Sequence, residues 1–223
     1  MHELWSDEMI NSSDEIYDLN KKYEANNFNG LYNGITNLRI IYGNLPILLS
    51  APHSVKHFRN NQLKRSDGLT GGIVEYLAKY NNTFGITRIS NLLDDPNYYN
   101  SGISLRYKEN CIKLIDKYNI NCLLDIHGCK DSHPFDIDIG TSNYNEELDI
   151  IYRYLSNLGK VEVNKLFKAS HKENVTRYVQ NQSGIPCFQI ELSSNVRFNK
   201  TNELVNEFNN IIEEMKVKKL IRK

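Results

Sequence analysis

No apolar run in this chain approaches the roughly 20 residues that a membrane-spanning helix requires, which argues against an integral membrane protein. Excess charge is also missing. Lys and Arg number 27 and Asp and Glu number 27, so nothing draws the whole chain to nucleic acid or an anionic membrane, and a charged partner must be met locally. The basic residues form no stripe with interleaved aromatics, a further mark against nucleic acid. The N-terminus, MHELWSDEMINSSDEIYDLN, lacks the apolar segment of a secretory signal, so the expected location is the cytoplasm. The four cysteines (Cys111, Cys122, Cys129 and Cys187) show no CxxC spacing and read as reduced thiols, without a disulfide framework. There is no Pro/Gly/Ser linker, internal repeat or charge block to divide the chain.

What is present suffices for one core. A chain of 223 residues with 40% hydrophobic content predicts a polar N-terminal extension, 1–34, holding one short helix near 13–25, and a single domain over 35–223. Apolar strands are expected at 38–42 and 47–50, joined as a hairpin by Gly43-Asn44. A helix should follow at 69–79, a strand at 86–90 and a helix at 103–118. Further strands are expected at 120–126, 161–163, 166–169 and 185–192. Helices are expected at 146–158, at 174–182 with Gly184 closing it, and at 201–218. Strands alternating with helices define an α/β class with a mixed, largely parallel central sheet flanked by helices.

In such sheets, ligands gather beyond the carboxyl ends of the strands. LPILLSAPHSVKHF puts His53 there, INCLLDIHG puts His127 there, and IPCFQIEL carries Glu191. In DIHG, Asp125 lies two residues from His127 and shares its face, so it can orient the imidazole of a metal ligand. Its other reading is a turn cap. Two histidines need a third ligand to hold zinc. Three residues beyond His53 stands Lys56, which cannot coordinate while protonated. His57 lies four residues on, a spacing suited to a helix that the Pro52 loop does not predict. Asp67, just ahead of a helix, is the better carboxylate, with a simple N-cap as its other reading; Glu75, inside that helix, is the reserve. Glu191 shares its face with Gln189, opposite Phe188, Ile190 and Leu192. A glutamate in an apolar strand is costly unless it is paired or faces water, and beside a metal-activated water it is a natural general base. The other reading is an edge-strand glutamate facing solvent.

The order of PHS after a strand, an acid before the next helix, DxHG after a central strand and QIEL near the end resembles the N-formylglutamate amidohydrolase family, relatives of the zinc carboxypeptidases. The resemblance covers about 45–197, and DIDIGT (136–141) and NVTRYVQNQSGIPCFQIELS extend it. It implies a zinc-peptidase-like fold, one zinc ion (other divalent metals are conceivable) on His53, Asp67 and His127, and Glu191 as base and acid. It also implies hydrolysis of an amide in a small carboxylate-bearing substrate, either an N-acylated amino acid or a γ-glutamyl or cell-wall-type peptide. Arg177, Arg106 and Arg197 lie near the matching motifs as carboxylate clamps, Arg177 being preferred. His171 and His133 are further loop histidines that could line the pocket, with solvent exposure as the other reading for His171. The chain departs from the family at Val55, where glycine is usual. Two rivals remain: a non-catalytic binding module on the same fold, and thiol chemistry at Cys129.

Overall fold

The computed structural model describes residues 12–31 and 37–221. Of the expected N-terminal extension, residues 1–11 and 32–34 lie outside that range. In chain order the strands are β1 (Leu38–Ile41), β2 (Leu45–Ala51), β3 (His57–Arg59), β4 (Gln62–Lys64), β5 (Thr83–Arg88), β6 (Cys122–Gly128), β7 (Ile137–Gly140), β8 (Val161–Val163) and β9 (Cys187–Leu192). The helices are α1 (Ser12–Phe28), α2 (Thr70–Tyr80), α3 (Gly102–Tyr118), α4 (Glu146–Leu155), α5 (Val175–Ser183), α6 (Ser194–Asn199) and α7 (Thr201–Val217). Among the described residues, no helix is long and apolar enough to cross a membrane.

Seven strands form one mixed sheet in the order β1-β5-β2-β6-β9-β7-β8, and β3 and β4 make a separate small hairpin. The central neighbours β5, β2, β6 and β9 run parallel, whereas β1 and β7 lie antiparallel to their inner partners. This is the single α/β domain with a largely parallel sheet that the strand–helix alternation predicts.

Strand alternation sorts the core into two layers. Ile47, Leu49, Ile126, Phe188, Ile190 and Leu192 face one side and pack with α2, α4 and α7. Leu48, Leu123 and Cys187 face the other, against α3 and α5. On this second face the side chains turn polar toward the strands' carboxyl ends, where Asp125, His127, Gln189 and Glu191 follow. That change in polarity is what places a cleft there.

Two expectations fail for long-range reasons. The strands β1 and β2 are not a hairpin, because β5 lies between them. The amides of Asn44 and Leu45 both donate to the Asn82 carbonyl at the start of β5, at 2.8 and 2.9 Å. A Cβ on Gly43 would stand 2.4 Å from that carbonyl oxygen, so glycine serves a close backbone approach instead of a two-residue turn. The expected strand at 166–169 is a loop. Its leading amides are taken by the Asp138 carboxylate, which accepts from Lys165, Leu166 and Phe167 at 3.0, 2.7 and 2.9 Å, leaving no ladder to form. The strands β3, β4 and β7 and the helix α6 were not anticipated. Gly184 closes α5 in the left-handed conformation (φ 74°), as expected.

Candidate metal centre

The turn after β2 carries His53, and its carbonyl accepts from the Asp67 amide at 2.8 Å, which binds the two loops together. Asp67 is not an N-cap. The residue before α2 is Leu69, held at φ 68° with no side-chain cap, and Thr70 donates through its amide and hydroxyl to the Asp67 carbonyl at 3.1 and 2.7 Å. Because backbone groups do that work, the carboxylate is free to face the histidines. Its Oδ2 lies 3.3 Å from His53 Nδ1 and 3.4 Å from His127 Nδ1.

The far nitrogens are held from behind. His53 Nε2 lies 2.8 Å from Asp95 Oδ1, and His127 Nε2 lies 3.2 Å from Asp125 Oδ2. A carboxylate can only accept, so each Nε2 donates its proton backward and Nδ1 is the nitrogen that would face a cation; without one, Asp67 lies opposite each Nδ1 and favours the protonated imidazole. Asp95 is itself braced by Arg59 Nε at 2.7 Å and by the Asn97 amide at 2.9 Å, and Asp125 by the Thr176 hydroxyl at 3.0 Å.

Glu191 stands directly across the strand pair from His127. Gln189 Nε2 donates to Glu191 Oε1 at 2.7 Å, and Asn174 Nδ2 donates to Gln189 Oε1 at 2.5 Å. One carboxylate oxygen is thereby fixed by a buried amide chain, and Oε2 is left for other work. His53, Asp67, His127, Asn174, Gln189 and Glu191 line an open cleft of about 480 Å³.

Burial, with the Asp67 charge adding to it, lifts the Glu191 carboxyl to about 7 although His127 and His53 pull it down. Burial alone would lower His127 and His53. The Asp125 and Asp67 carboxylates reverse that for His127, and Asp95 and Asp67 reverse it for His53, so both end above the ordinary imidazole value. Asp67 and Asp95 are held low by the histidines against the pull of burial. In the metal-free protein, Glu191 and the two histidines thus bind protons more tightly folded than unfolded. Their contribution is full below the unfolded values and is lost as pH rises. The two aspartates contribute above an unfolded value of 3.8, and that is lost only in acid. Thermal melts of chelator-treated protein should therefore fall in midpoint from pH 6 to pH 8.5. Saturating zinc, which needs deprotonated imidazoles, should reverse that slope; parallel slopes with and without zinc would contradict this.

The structure brings His53, Asp67, His127, Asp125 and Glu191 together and leaves other candidates elsewhere. Glu75 is fully buried in α2, where it accepts from Tyr23 Oη at 2.5 Å and Lys22 Nζ at 2.8 Å and is ion-paired with Arg39 Nε at 2.7 Å. That carboxylate ties α1, α2 and β1 together and has no access to the histidines. His57 opens β3 and stacks on His53 with centroids 3.9 Å apart. Its Nε2 faces Asp95 at 3.8 Å, away from Asp67. His53, His57 and Asp95 could also gather a cation, but Arg59 already neutralises Asp95, and His53 Nε2 occupies its Oδ1 at 2.8 Å. His171 lines the cleft, exposed and paired with Glu173 at 2.8 Å. His133 stacks on Phe135. Val55 is fully buried. Burial pushes the Cys129 thiol up to about 12, which disfavours the thiolate that nucleophilic catalysis needs.

The three arginines differ in fate. Arg106 is exposed on α3, and Arg177 lines a neighbouring hollow instead of the cleft. Arg197 is buried beneath the site, donating to the carbonyls of Gly68, Leu192 (3.1 Å) and Cys129 (3.4 Å). It is a strut joining the loops that carry Asp67, His127 and Glu191. A Cβ on Gly128 would come 2.5 Å from its guanidinium carbon, which explains the glycine of DIHG.

Sequence reasoning missed Asp95, Gln189 as a support, Asp138 and Lys168. Asp138 pairs with Glu191 across β7 and β9 and fixes the cleft loop through its three amide bonds. Asp138→Ala should cost roughly 2 kcal/mol, since hydrogen bonds to a charged group are the stronger kind, which is about 4–8 °C in a domain of this size. A melt within 1 °C of the parent would show that the loop holds itself.

No family model and no curated relative matches the sequence. Solved structures do match in fold. A gene product from Agrobacterium tumefaciens aligns with a TM-score of 0.62 at 9% identity over 82% of this chain and 95% of its own. N-formylglutamate amidohydrolase from Ralstonia eutropha JMP134 gives 0.57 at 12% identity over 82% and 99%. A bacteriophage poly-gamma-glutamate hydrolase gives 0.53 at 17% identity over 85% and 92%. The structural neighbours of this chain thus include amidohydrolases of the family its motifs resemble, and at these identities the likeness is one of fold.

Proposed function

We propose that this chain is a zinc-dependent hydrolase of a carbon–nitrogen amide bond in a small, carboxylate-bearing N-acyl amino acid of the N-formylglutamate kind. The observation that carries the reading is the convergence of His53 Nδ1, His127 Nδ1 and Asp67 Oδ2, with a buried carboxylate behind each imidazole. Their ligand atoms lie within 4.8 Å of one another. Two imidazoles, one carboxylate and an open position are the donor set of a catalytic zinc site, and availability would decide among divalent metals.

The ion, when bound, supplies Lewis-acid polarisation of the amide carbonyl and a lowered pKa for the attacking water. The chain's own residues carry the rest. His53, Asp67 and His127 hold the ion. Asp95 and Asp125 keep both imidazoles in the coordinating tautomer. Glu191 takes the proton from the attacking water on Oε2, while Gln189 anchors Oε1, and then delivers it to the leaving nitrogen.

A second reading keeps this site and changes the substrate to a γ-glutamyl or cell-wall-type peptide. The openness of the cleft and the fold shared with a poly-gamma-glutamate hydrolase favour it. The test is amine release by the zinc-loaded protein from N-acyl amino acids and from γ-glutamyl peptides. Release from either class supports the reading and chooses between substrates. Full metal loading with no release from any would instead favour a binding module on the same fold.

A further inference from the structure

Beside the cleft lies a second hollow of about 380 Å³, lined in part by Ser142, Tyr144 and Arg177. The two adjoin, because Lys168, Ala169 and Ser170 line both. Arg177 donates through Nη1 to the Ser142 hydroxyl at 2.7 Å and to Gln180 Oε1 at 3.4 Å, both neutral acceptors. Among the described residues, neither Arg177 nor Lys168 is ion-paired with a carboxylate. By contrast, Arg59 has Asp95 and Arg88 has Asp94.

Lys168 is exposed, yet its backbone is not free. The three preceding amides are fixed by Asp138, and Ala169 is held at φ 46°, a left-handed conformation a non-glycine residue adopts at a cost. Arg177 is placed just as firmly, at the start of a helix whose cap is Asn174, the residue bonded to Gln189. Two unneutralised cations on anchored backbone, facing a hollow continuous with the cleft, are arranged for an anion that reaches past the metal centre.

We propose that Lys168 and Arg177 form a second carboxylate subsite, so that the preferred substrate is an acidic oligomer with at least one carboxylate-bearing residue beyond those flanking the scissile amide. This rests on the hydrolase reading in its second form, with a γ-glutamyl-type peptide as substrate, and deepens it. Arg177 is then a determinant of substrate length, a role distinct from clamping the short substrate in the cleft.

The test is calorimetric binding to zinc-loaded protein carrying Glu191→Gln, which prevents turnover. The probes are a γ-linked glutamate tetramer and N-formylglutamate. The tetramer should bind more tightly. Arg177→Gln, which keeps a polar side chain for Ser142, should reduce the tetramer-to-monomer affinity ratio about tenfold, the effect of losing one charge-assisted contact. Lys168→Glu, on an exposed side chain with little folding risk, should reduce it further. An unchanged ratio in both variants, or a parent that binds N-formylglutamate but not the tetramer, would overturn the subsite and leave the hydrolase reading intact. A zinc-loaded parent that binds neither probe would overturn both.

Discussion

Glu191→Gln is expected to lower kcat by about 10²- to 10⁴-fold, the range over which a positioned acid–base group contributes, with the metal content unchanged. The size follows from the role. Burial, with the Asp67 charge adding to it, lifts the Glu191 carboxyl in the metal-free chain to about 7 against His127, His53 and Gln189, and a carboxyl poised near neutrality can both accept and return a proton. Glutamine keeps the shape and still accepts from Gln189 at Oε1, but it cannot carry the proton. The loss should therefore fall on kcat, with KM within a few-fold of the parent. Steady-state kinetics on whichever amide the parent cleaves, paired with elemental analysis of both proteins, separates this from a structural effect. Activity within five-fold of the parent would mean that another group moves the proton.

The second large effect concerns the metal. Replacing a residue that supports a ligand typically costs 10- to 100-fold in metal affinity, and removing a ligand costs more. Asp125→Asn should weaken zinc by about that 10- to 100-fold, because the His127 imidazole keeps its place but loses the carboxylate that fixes its tautomer. His127→Ala should weaken it further, leaving two donors from one side of the cleft. Asp95→Asn is expected to weaken it at least as much as Asp125→Asn, since His53 Nε2 makes the shorter bond of the two, 2.8 Å against 3.2 Å. Chelator-competition titrations order the four proteins. Equal affinities in the parent and in both asparagine variants would remove the supporting role assigned to the buried aspartates.

His53, His127 and Glu191 were legible in the sequence for one physical reason. Strand period places a polar residue at the carboxyl end of an apolar run, and such a residue needs a partner or a purpose. Asp67 was legible by position, but a helix cap is not what the chain uses, since the Asp67 carbonyl, not its carboxylate, meets the first residue of α2 and leaves the side chain free. Asp95 was invisible because it lies in a loop 42 residues from His53 and acts only through the tertiary fold. The β1–β2 hairpin misread has the same origin: Gly43-Asn44 has turn chemistry, and nothing local reveals that β5 enters between the strands. The short strand β7 was missed because Asp136 and Asp138 break its apolar run. Its buried Asp138 has meaning only once the loop beyond β8 folds back onto it.

The central claim is a metal ion on His53, Asp67 and His127, and elemental analysis of the zinc-reconstituted, desalted protein beside its His127→Ala variant tests it most directly. The account predicts about one equivalent of zinc per chain in the parent, the one-ion stoichiometry of a mononuclear catalytic site, and little in the variant. A folded parent that retains no divalent metal after reconstitution would contradict it.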